Sequence, residues 1–403
     1  MHHPAHHIFE FTPESLTAWC GQRGMPGFRA GQILEWVYAK GVADPEAMTN
    51  LSARDRAVLA AEMTFLSGPT VAHQRATDGT QKVLIEWPDG IVGSQVAAAE
   101  AVVDHATRLP ILNADGTAGA MPYASSARQT ECVMIPAVEG AKPGPLAHGR
   151  GSFKAEVTRK TACISSQVGC PVGCRFCATG IGGLDGNLSA GRIVEQVWRL
   201  SRLPDVGRIS NVVFMGMGEP LANFTPVLHA VRTLAAPWGM GISARKITIS
   251  TVGMPRAIER LAEELELPVT LALSLHAPND ELRRRLIPWA EYSTIPELLS
   301  ACHKWFQKTG REVTLEYILL RNVNDRPEHA RELAKVAKTL RGNVNLIRYN
   351  EVKGLGFDRP STEDVREFQR ILRDAGVNTH IRASRGRDIA AACGQLRHEA
   401  AGV

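Results

Sequence analysis

The stretch Cys163–Gly180, CISSQVGCPVGCRFCATG, places four of the chain's eight cysteines within fifteen residues. The last three, Cys170, Cys174 and Cys177, form a C-x3-C-x2-C pattern. Three thiolates this close together can wrap one corner of an iron–sulfur cube. A cube held by three ligands keeps one iron open, and an open iron can chelate the amino and carboxylate groups of a small molecule. The competing reading is zinc, whose tetrahedral sites usually draw on a second nearby pair that this pattern lacks.

Downstream of this loop, strand-like and helix-like runs alternate. The strand-like runs are TACISSQ (161–167), NVVFMG (211–216), KITIST (246–251), VTLALSLH (269–276), VTLEYILL (313–320), NVNLIRYN (343–350) and NTHIRAS (378–384). Helical periodicity fills 189–203, 224–236, 254–265, 295–309, 326–340 and 362–375, with Ser189 as the expected cap of the first. Such alternation predicts an α/β fold with a parallel sheet and right-handed crossovers. Six units suit an incomplete (β/α)6 barrel better than a flat doubly wound sheet, although periodicity does not separate the two. In either case functional groups gather at the carboxyl ends of the strands.

Upstream, residues 8–68 read as a small helical domain. Thr12-Pro13 and Ser52 open helices, Ile33, Leu34 and Val37 share one face, and Gly41 ends it. Residues 69–158 carry Asp-Gly pairs at 78, 89 and 115 between β-type runs such as KVLIEW and ECVMIP, which predicts hairpins, and Gly/Pro-rich 138–152 reads as a loop. The third segment, 159–398, is the barrel. The chain of 403 residues has ample core to fold without disulfides, and it carries no signal-like start. A reducing, cytoplasmic setting is therefore expected. No apolar run of about 18 residues suggests a membrane span. The net charge of +5 decides nothing about partners by itself. The opening MHHPAHH reads as a flexible end without a role.

With Phe176 between its last two cysteines, the loop resembles that of the radical S-adenosylmethionine superfamily. FMGMGEPLANF, ITISTVG, LALSLHAPND, LEYILLRNVND, VNLIRYN and RGRDIAAACGQL follow in the order seen in the RlmN/Cfr family of RNA adenosine methyltransferases. The resemblance runs from about residue 160 to 397, and the helical unit at 28–60 is similar to that family's accessory domain. It implies an incomplete radical-SAM barrel, with Cys170, Cys174 and Cys177 as ligands of a 4Fe-4S cluster and S-adenosylmethionine as both methyl donor and radical source. It also implies cosubstrate contacts from Gly218, Glu219, Ser250, Ser274, Leu275, His276 and Asn350, all at predicted strand ends.

Two further cysteines matter because an adenine ring carbon is electrophilic and does not attack a methyl cation equivalent. The family's solution, by resemblance, is to methylate a cysteine, here Cys393, and to convert that methyl group into a carbon radical that adds to the ring. A transient protein–RNA crosslink results, and Cys163 would release it by closing a disulfide with Cys393. That step needs a thiolate, so a basic or otherwise thiolate-favouring neighbourhood is expected. Glu131 matches the family's proton acceptor, at a longer spacing from Cys163 than usual. Cys20, Cys132 and Cys302 read as structural.

The resemblance implies carbon 2 of an adenosine in 23S ribosomal RNA as target, with tRNA as a second candidate substrate and flavodoxin or ferredoxin as electron donor. Arg348, where RlmN sequences tend to carry proline, and the enlarged stretches 90–130 and 137–158 keep a Cfr-type carbon 8 reaction open. A non-catalytic iron–sulfur RNA-binding protein is the reading from another class, and it would not need both Cys163 and Cys393. Arg29, Lys40, Lys246, Arg283–Arg285, Arg382 and Arg385 are the candidate RNA contacts, with the triple-arginine run foremost.

Overall fold

The computed structural model describes residues 1, 3–87, 128–138 and 157–396. Most of 90–130 and 137–158, and the Asp-Gly pairs at 89 and 115, lie outside the described residues.

The N-terminal helices are α1 (Pro13–Gln22), α2 (Arg29–Leu34), continued by a wider turn through Lys40, and α3 (Ala53–Glu62). Their ends follow the capping chemistry in the sequence. Thr12 and Ser15 exchange side-chain and backbone bonds at the start of α1, Ser52 accepts the Asp55 N–H, and Gly41 closes the second helix at φ 70°. Ile33, Leu34 and Val37 are buried together, as their spacing predicts.

A ten-stranded sheet follows. Its first three strands, β1 (Thr70–Arg75), β2 (Gln81–Trp87) and β3 (Arg128–Val138), run antiparallel and lead into β4 (Val157–Cys163). The β1–β2 hairpin turns at Asp78-Gly79, with Gly79 at φ 83°. From β4 onward the neighbours are parallel: β7 (Asn211–Phe214), β8 (Ile247–Thr251), β9 (Thr270–Ser274), β10 (Val313–Leu319), β11 (Gly342–Arg348) and β12 (Thr379–Arg382). A separate short hairpin joins β5 (Gln167–Gly169) to β6 (Leu184–Asn187), on either side of the cysteine loop.

The crossover helices fall where periodicity places them: α4 (Ala190–Ser201), α5 (Phe224–Ala235), α6 (Pro255–Glu264), α8 (Ile295–Thr309), α9 (Pro327–Ala337) and α10 (Thr362–Asp374). Ser189 caps α4, accepting the Arg192 N–H. A short helix, α7 (Asp280–Leu286), is additional to those expected. Among the described residues no helix is long and apolar enough to cross a membrane.

Helix α4 is buried along nearly its whole length because the sheet covers one side and the N-terminal helices the other. Trp198 donates to the Val37 carbonyl at 2.8 Å, and Glu195 receives His7 at 3.0 Å and the Ser67 hydroxyl at 2.7 Å. The flexible-end reading of MHHPAHH is therefore corrected: His7 is fully buried, held by a carboxylate far along the chain.

Candidate active site

The cysteine loop leaves the β5 end and runs beneath the carboxyl ends of the parallel strands. Cys170 donates its N–H to the Gly183 carbonyl at 2.8 Å, and Arg175 donates its N–H to the Leu286 carbonyl at the end of α7 at 3.0 Å. An open cavity of about 140 Å³ lies above it. Cys170, Cys174 and Cys177 line this cavity together with Gly218, Glu219, Ser250, Ser274, His276 and Cys393. Two of the predicted contacts lie off the cavity wall, and the first, Leu275, between Ser274 and His276, is fully buried outside the cavity. Asn350 is also off the cavity wall and instead donates to the Cys393 carbonyl at 3.2 Å, tying the end of β11 to the cysteine's loop.

Among the described residues no three His, Cys, Asp or Glu side chains converge on a single ion position. All three thiols line the one cavity, and their C-x3-C-x2-C spacing suits a cube with one thiolate per iron. Burial raises all three thiols, with the neighbouring thiols adding to the rise at Cys174. Metal loading would therefore release protons.

Gly218 occupies φ 100°, and an added Cβ would stand 2.6 Å from Gln167 Cβ and 2.8 Å from its backbone N. Only glycine fits this turn. Its neighbour Glu219 accepts the N–H groups of Leu221 at 3.0 Å and Val252 at 2.7 Å, so the carboxylate fastens the end of β7 to the end of β8. Burial raises Glu219 to about 7, against the opposing pull of these N–H bonds. Its folded pKa thus lies above the reference 4.5, so the stability it contributes is full below pH 4.5 and is lost as pH rises through 7. The loss amounts to about 3 kcal/mol at 1.36 kcal/mol per unit. Urea unfolding of wild type and Glu219→Gln at pH 5 and pH 8 should show the wild type losing that much more than the variant. Parallel pH profiles would refute the assignment.

His276 adopts φ 58°, accepts the Ile318 N–H on Nδ1 at 3.0 Å and meets Phe176 edge-on at 5.1 Å. Burial, with Arg283 nearby, lowers it to about 3, so it is a neutral imidazole.

Cys163 ends β4 and pairs with Val133 on β3. This register closes the long chain separation between Glu131 and Cys163, because opposite and alternate residues share a face. Glu131 is buried on that face, 2.7 Å from Lys82 Nζ, and lines no part of the cavity. Burial pushes the Cys163 thiol up to about 12, Cys393 adds to the rise, and Arg382 opposes it. The expected basic neighbour is present, but burial outweighs it and Cys163 rests as a thiol. Cys393 is exposed at the cavity rim. Surrounding protein still raises its thiol to about 11 and Arg382 again opposes, while the open mouth leaves the group reachable by solvent.

The loop that carries Cys393 is fastened on three sides. Gly394 accepts the Ala178 N–H of the cysteine loop at 2.8 Å. Asp78, in the β1–β2 turn, accepts the Gly386 N–H at 3.0 Å, and Asp388 accepts the Thr77 N–H at 2.8 Å. The first hairpin thus reaches across the open side of the barrel to hold the last functional cysteine.

Two arginines assigned to RNA turn inward instead. Arg283 is fully buried, and Arg382 meets Glu316 at 3.3 Å and Met215 Sδ at 3.2 Å. Arg284 and Arg285 remain exposed, whereas Arg29 pairs with Asp55 at 3.0 Å. Glu316 was missed from sequence. It lines the cavity and receives Asn345 at 3.0 Å, and its signal was a lone charge inside the apolar run TLEYILL.

A partial barrel with three cysteines beneath its strand ends defines the radical S-adenosylmethionine class, and residues 164–335 match the family model described as the Radical SAM superfamily. Residues 6–64 match the ribosomal RNA large subunit methyltransferase N-terminal domain. The chain is 42% identical over 96% of its length to the probable dual-specificity RNA methyltransferase RlmN of Symbiobacterium thermophilum, covering 90% of that protein. It is 36% identical over 96% of its length to the dual-specificity RNA methyltransferase RlmN of Dichelobacter nodosus, covering 93% of it. A crystal structure of a radical SAM methyltransferase from Sphaerobacter thermophilus superposes with a TM-score of 0.80 at 37% identity, covering 97% of this chain and 99% of that one. The chain belongs to the RlmN family of radical S-adenosylmethionine RNA methyltransferases. The family implies S-adenosylmethionine and a 4Fe-4S cluster as its cofactors.

Proposed function

We propose that this enzyme methylates carbon 2 of an adenosine in 23S ribosomal RNA and also accepts tRNA, in keeping with the dual specificity in its relatives' names. The observation that carries the reading is the placement of Cys393 on the rim of the cavity lined by Cys170, Cys174 and Cys177, with Cys163 near enough for Cys393 to raise its thiol. An RNA-binding protein without chemistry would need no such pair.

Cys170, Cys174 and Cys177 would hold the cluster, which supplies the electron that cleaves S-adenosylmethionine homolytically. Glu219, Ser250, Ser274 and His276 would orient that cosubstrate. The Glu219 carboxylate would accept its ammonium, and a cation there would draw the proton from the raised acid. Cys393 would carry the methyl group as a thioether at the exposed rim, and Cys163 would attack its sulfur from the inner face to free the product. Glu131 would take the ring proton. Exposed Arg284 and Arg285 would contact phosphate.

Arg348, the residue most like the carbon 8 enzymes, donates to the Pro360 carbonyl at 2.8 Å and to Thr362 Oγ1 at 3.0 Å. Its guanidinium is thereby held away from the cavity, and Ile347 lines the wall at that level. The carbon 2 reading is retained for that reason. The test is anaerobic reconstitution with iron and sulfide, then reaction with S-adenosylmethionine, a flavodoxin or ferredoxin reducing system and unmodified RNA, with mass spectrometry of the nucleosides. The expected product is 2-methyladenosine from both RNAs. 8-Methyladenosine would overturn the regiochemistry, and no methylated base with a loaded cluster would overturn the substrate.

A further inference from the structure

The run Arg283-Arg284-Arg285 places one guanidinium where a surface patch would not. Arg283 lies in α7, and its side chain runs inward with no exposed surface. Nη2 donates to the Val252 carbonyl at 2.5 Å and Nη1 to the Ser293 carbonyl at 3.5 Å. Nε–H is buried and meets no acceptor among the described residues. Leaving such a donor unmet costs about 1–3 kcal/mol, more for a charged group, so its persistence asks for an explanation.

The surroundings supply one. Val252 lines the same cavity as Cys174, and the loop bearing Cys174 is bonded to the end of α7 through the Arg175 N–H and the Leu286 carbonyl. The charge of Arg283 is felt at Cys174 and at His276, both of which line the cavity. Burial lowers Arg283 to about 10, with Cys174 and Asp280 opposing, so the group remains a cation at neutral pH. At Cys174 the Glu219 charge acts in the opposite sense, and its oxygens are engaged by two backbone N–H groups.

We infer that Arg283 is a positioning residue for the cluster's electrostatics: its buried cation, on the helix bonded to the Cys174 loop, raises the reduction potential of the cluster held by Cys170, Cys174 and Cys177. The inference rests on the proposed reading that these three cysteines are the cluster ligands. The reduction in question adds one electron from a dithionite-poised mediator to the cube and moves no proton. A cube with three thiolates is already anionic, so one more negative charge is disfavoured unless a nearby cation offsets it. Net charge and hydrogen bonds to sulfur are the means by which a protein sets such potentials. Arg283 is fully buried, and there the effect of one charge is larger than on the surface.

The test compares wild type, Arg283→Gln and Arg283→Lys after anaerobic loading with iron and sulfide. Iron content is measured first, then the reduced-cluster EPR signal is followed in a potentiometric titration. The Gln variant keeps an amide for the Val252 carbonyl and loses the charge. Its reduction equilibrium should fall about tenfold, a shift of about 59 mV for one electron. The Lys variant, which keeps the charge, should stay within about a third of that shift. A Gln variant at the wild-type potential overturns the inference, as does a Lys variant that falls as far as Gln. Failure of both variants to load iron while wild type loads also overturns it, since Arg283 would then act as a strut for the loop. Wild type that never acquires the cluster refutes the underlying ligand assignment and not the electrostatic argument.

Discussion

Cys163→Ala protein, supplied with S-adenosylmethionine, reductant and RNA, should accumulate RNA covalently joined to Cys393, while Cys393→Ala forms neither conjugate nor methylated nucleoside. Steady-state turnover of either variant falls by at least about a hundredfold, the lower range for a positioned catalytic group. The asymmetry follows from position. Cys393 stands on the rim, open to substrate, whereas Cys163 is buried behind it at the end of β4. Cys132 also senses Cys163, but it cannot substitute. It precedes Val133, the partner of Cys163, so the pleat turns it to the opposite face, where it senses Arg199 and Glu195 of α4. Because burial raises Cys163 to about 12, release of the crosslink by wild type should quicken as pH rises above neutrality. Gel mobility of labelled RNA before and after nuclease digestion gives the readout. If Cys163→Ala releases product at the wild-type rate, Cys163 is not the resolving thiol.

What the sequence revealed about this site depended on how local each interaction is. The cluster ligands lie in one loop, and Gly218, Glu219, Ser250, Ser274 and His276 sit at strand ends that βα alternation aligns, so their meeting in one cavity could be read directly. The fate of charged residues could not. Arg283 and Arg285 are neighbours in one run, yet one is buried and the other exposed, because burial depends on which carbonyls wait in Val252 and Ser293. The Glu316–Arg382 pair spans two strands with β11 between them, and no spacing rule links them. His7 had no local signal at all, since its partner Glu195 lies in a crossover helix of the barrel. Conversely the capping residues, which act within one turn, were legible to the residue.

The buried Glu195 leads to the second large effect: Glu195→Ala should destabilise the protein by about 3–5 kcal/mol, the usual cost of removing one partner from a buried ionic network. Its carboxylate takes Arg199 at 2.6 Å, His7 at 3.0 Å and both the N–H and hydroxyl of Ser67, with no solvent exposure. His7 and Ser67 bracket the N-terminal helices, so a single group on α4 fastens both ends of that unit to the barrel. Truncation strands the Arg199 cation and the Ser67 N–H, which water cannot reach without opening the junction. Gly191 leaves no slack nearby, because an added Cβ would overlap the His7 ring. Burial alone would raise Glu195, but the His7 bond and charge, Arg199 and Ser67 override it and hold the carboxyl below its reference 4.5. A depressed folded pKa means the contribution is present above pH 4.5 and fades as pH falls further. Urea unfolding at pH 7 should therefore separate wild type from Glu195→Ala by the full amount, and at pH 4 by less. A difference below about 1 kcal/mol at pH 7, the scale of an exposed pair, would mean that water replaces the carboxylate and the helical unit is held by its apolar face alone.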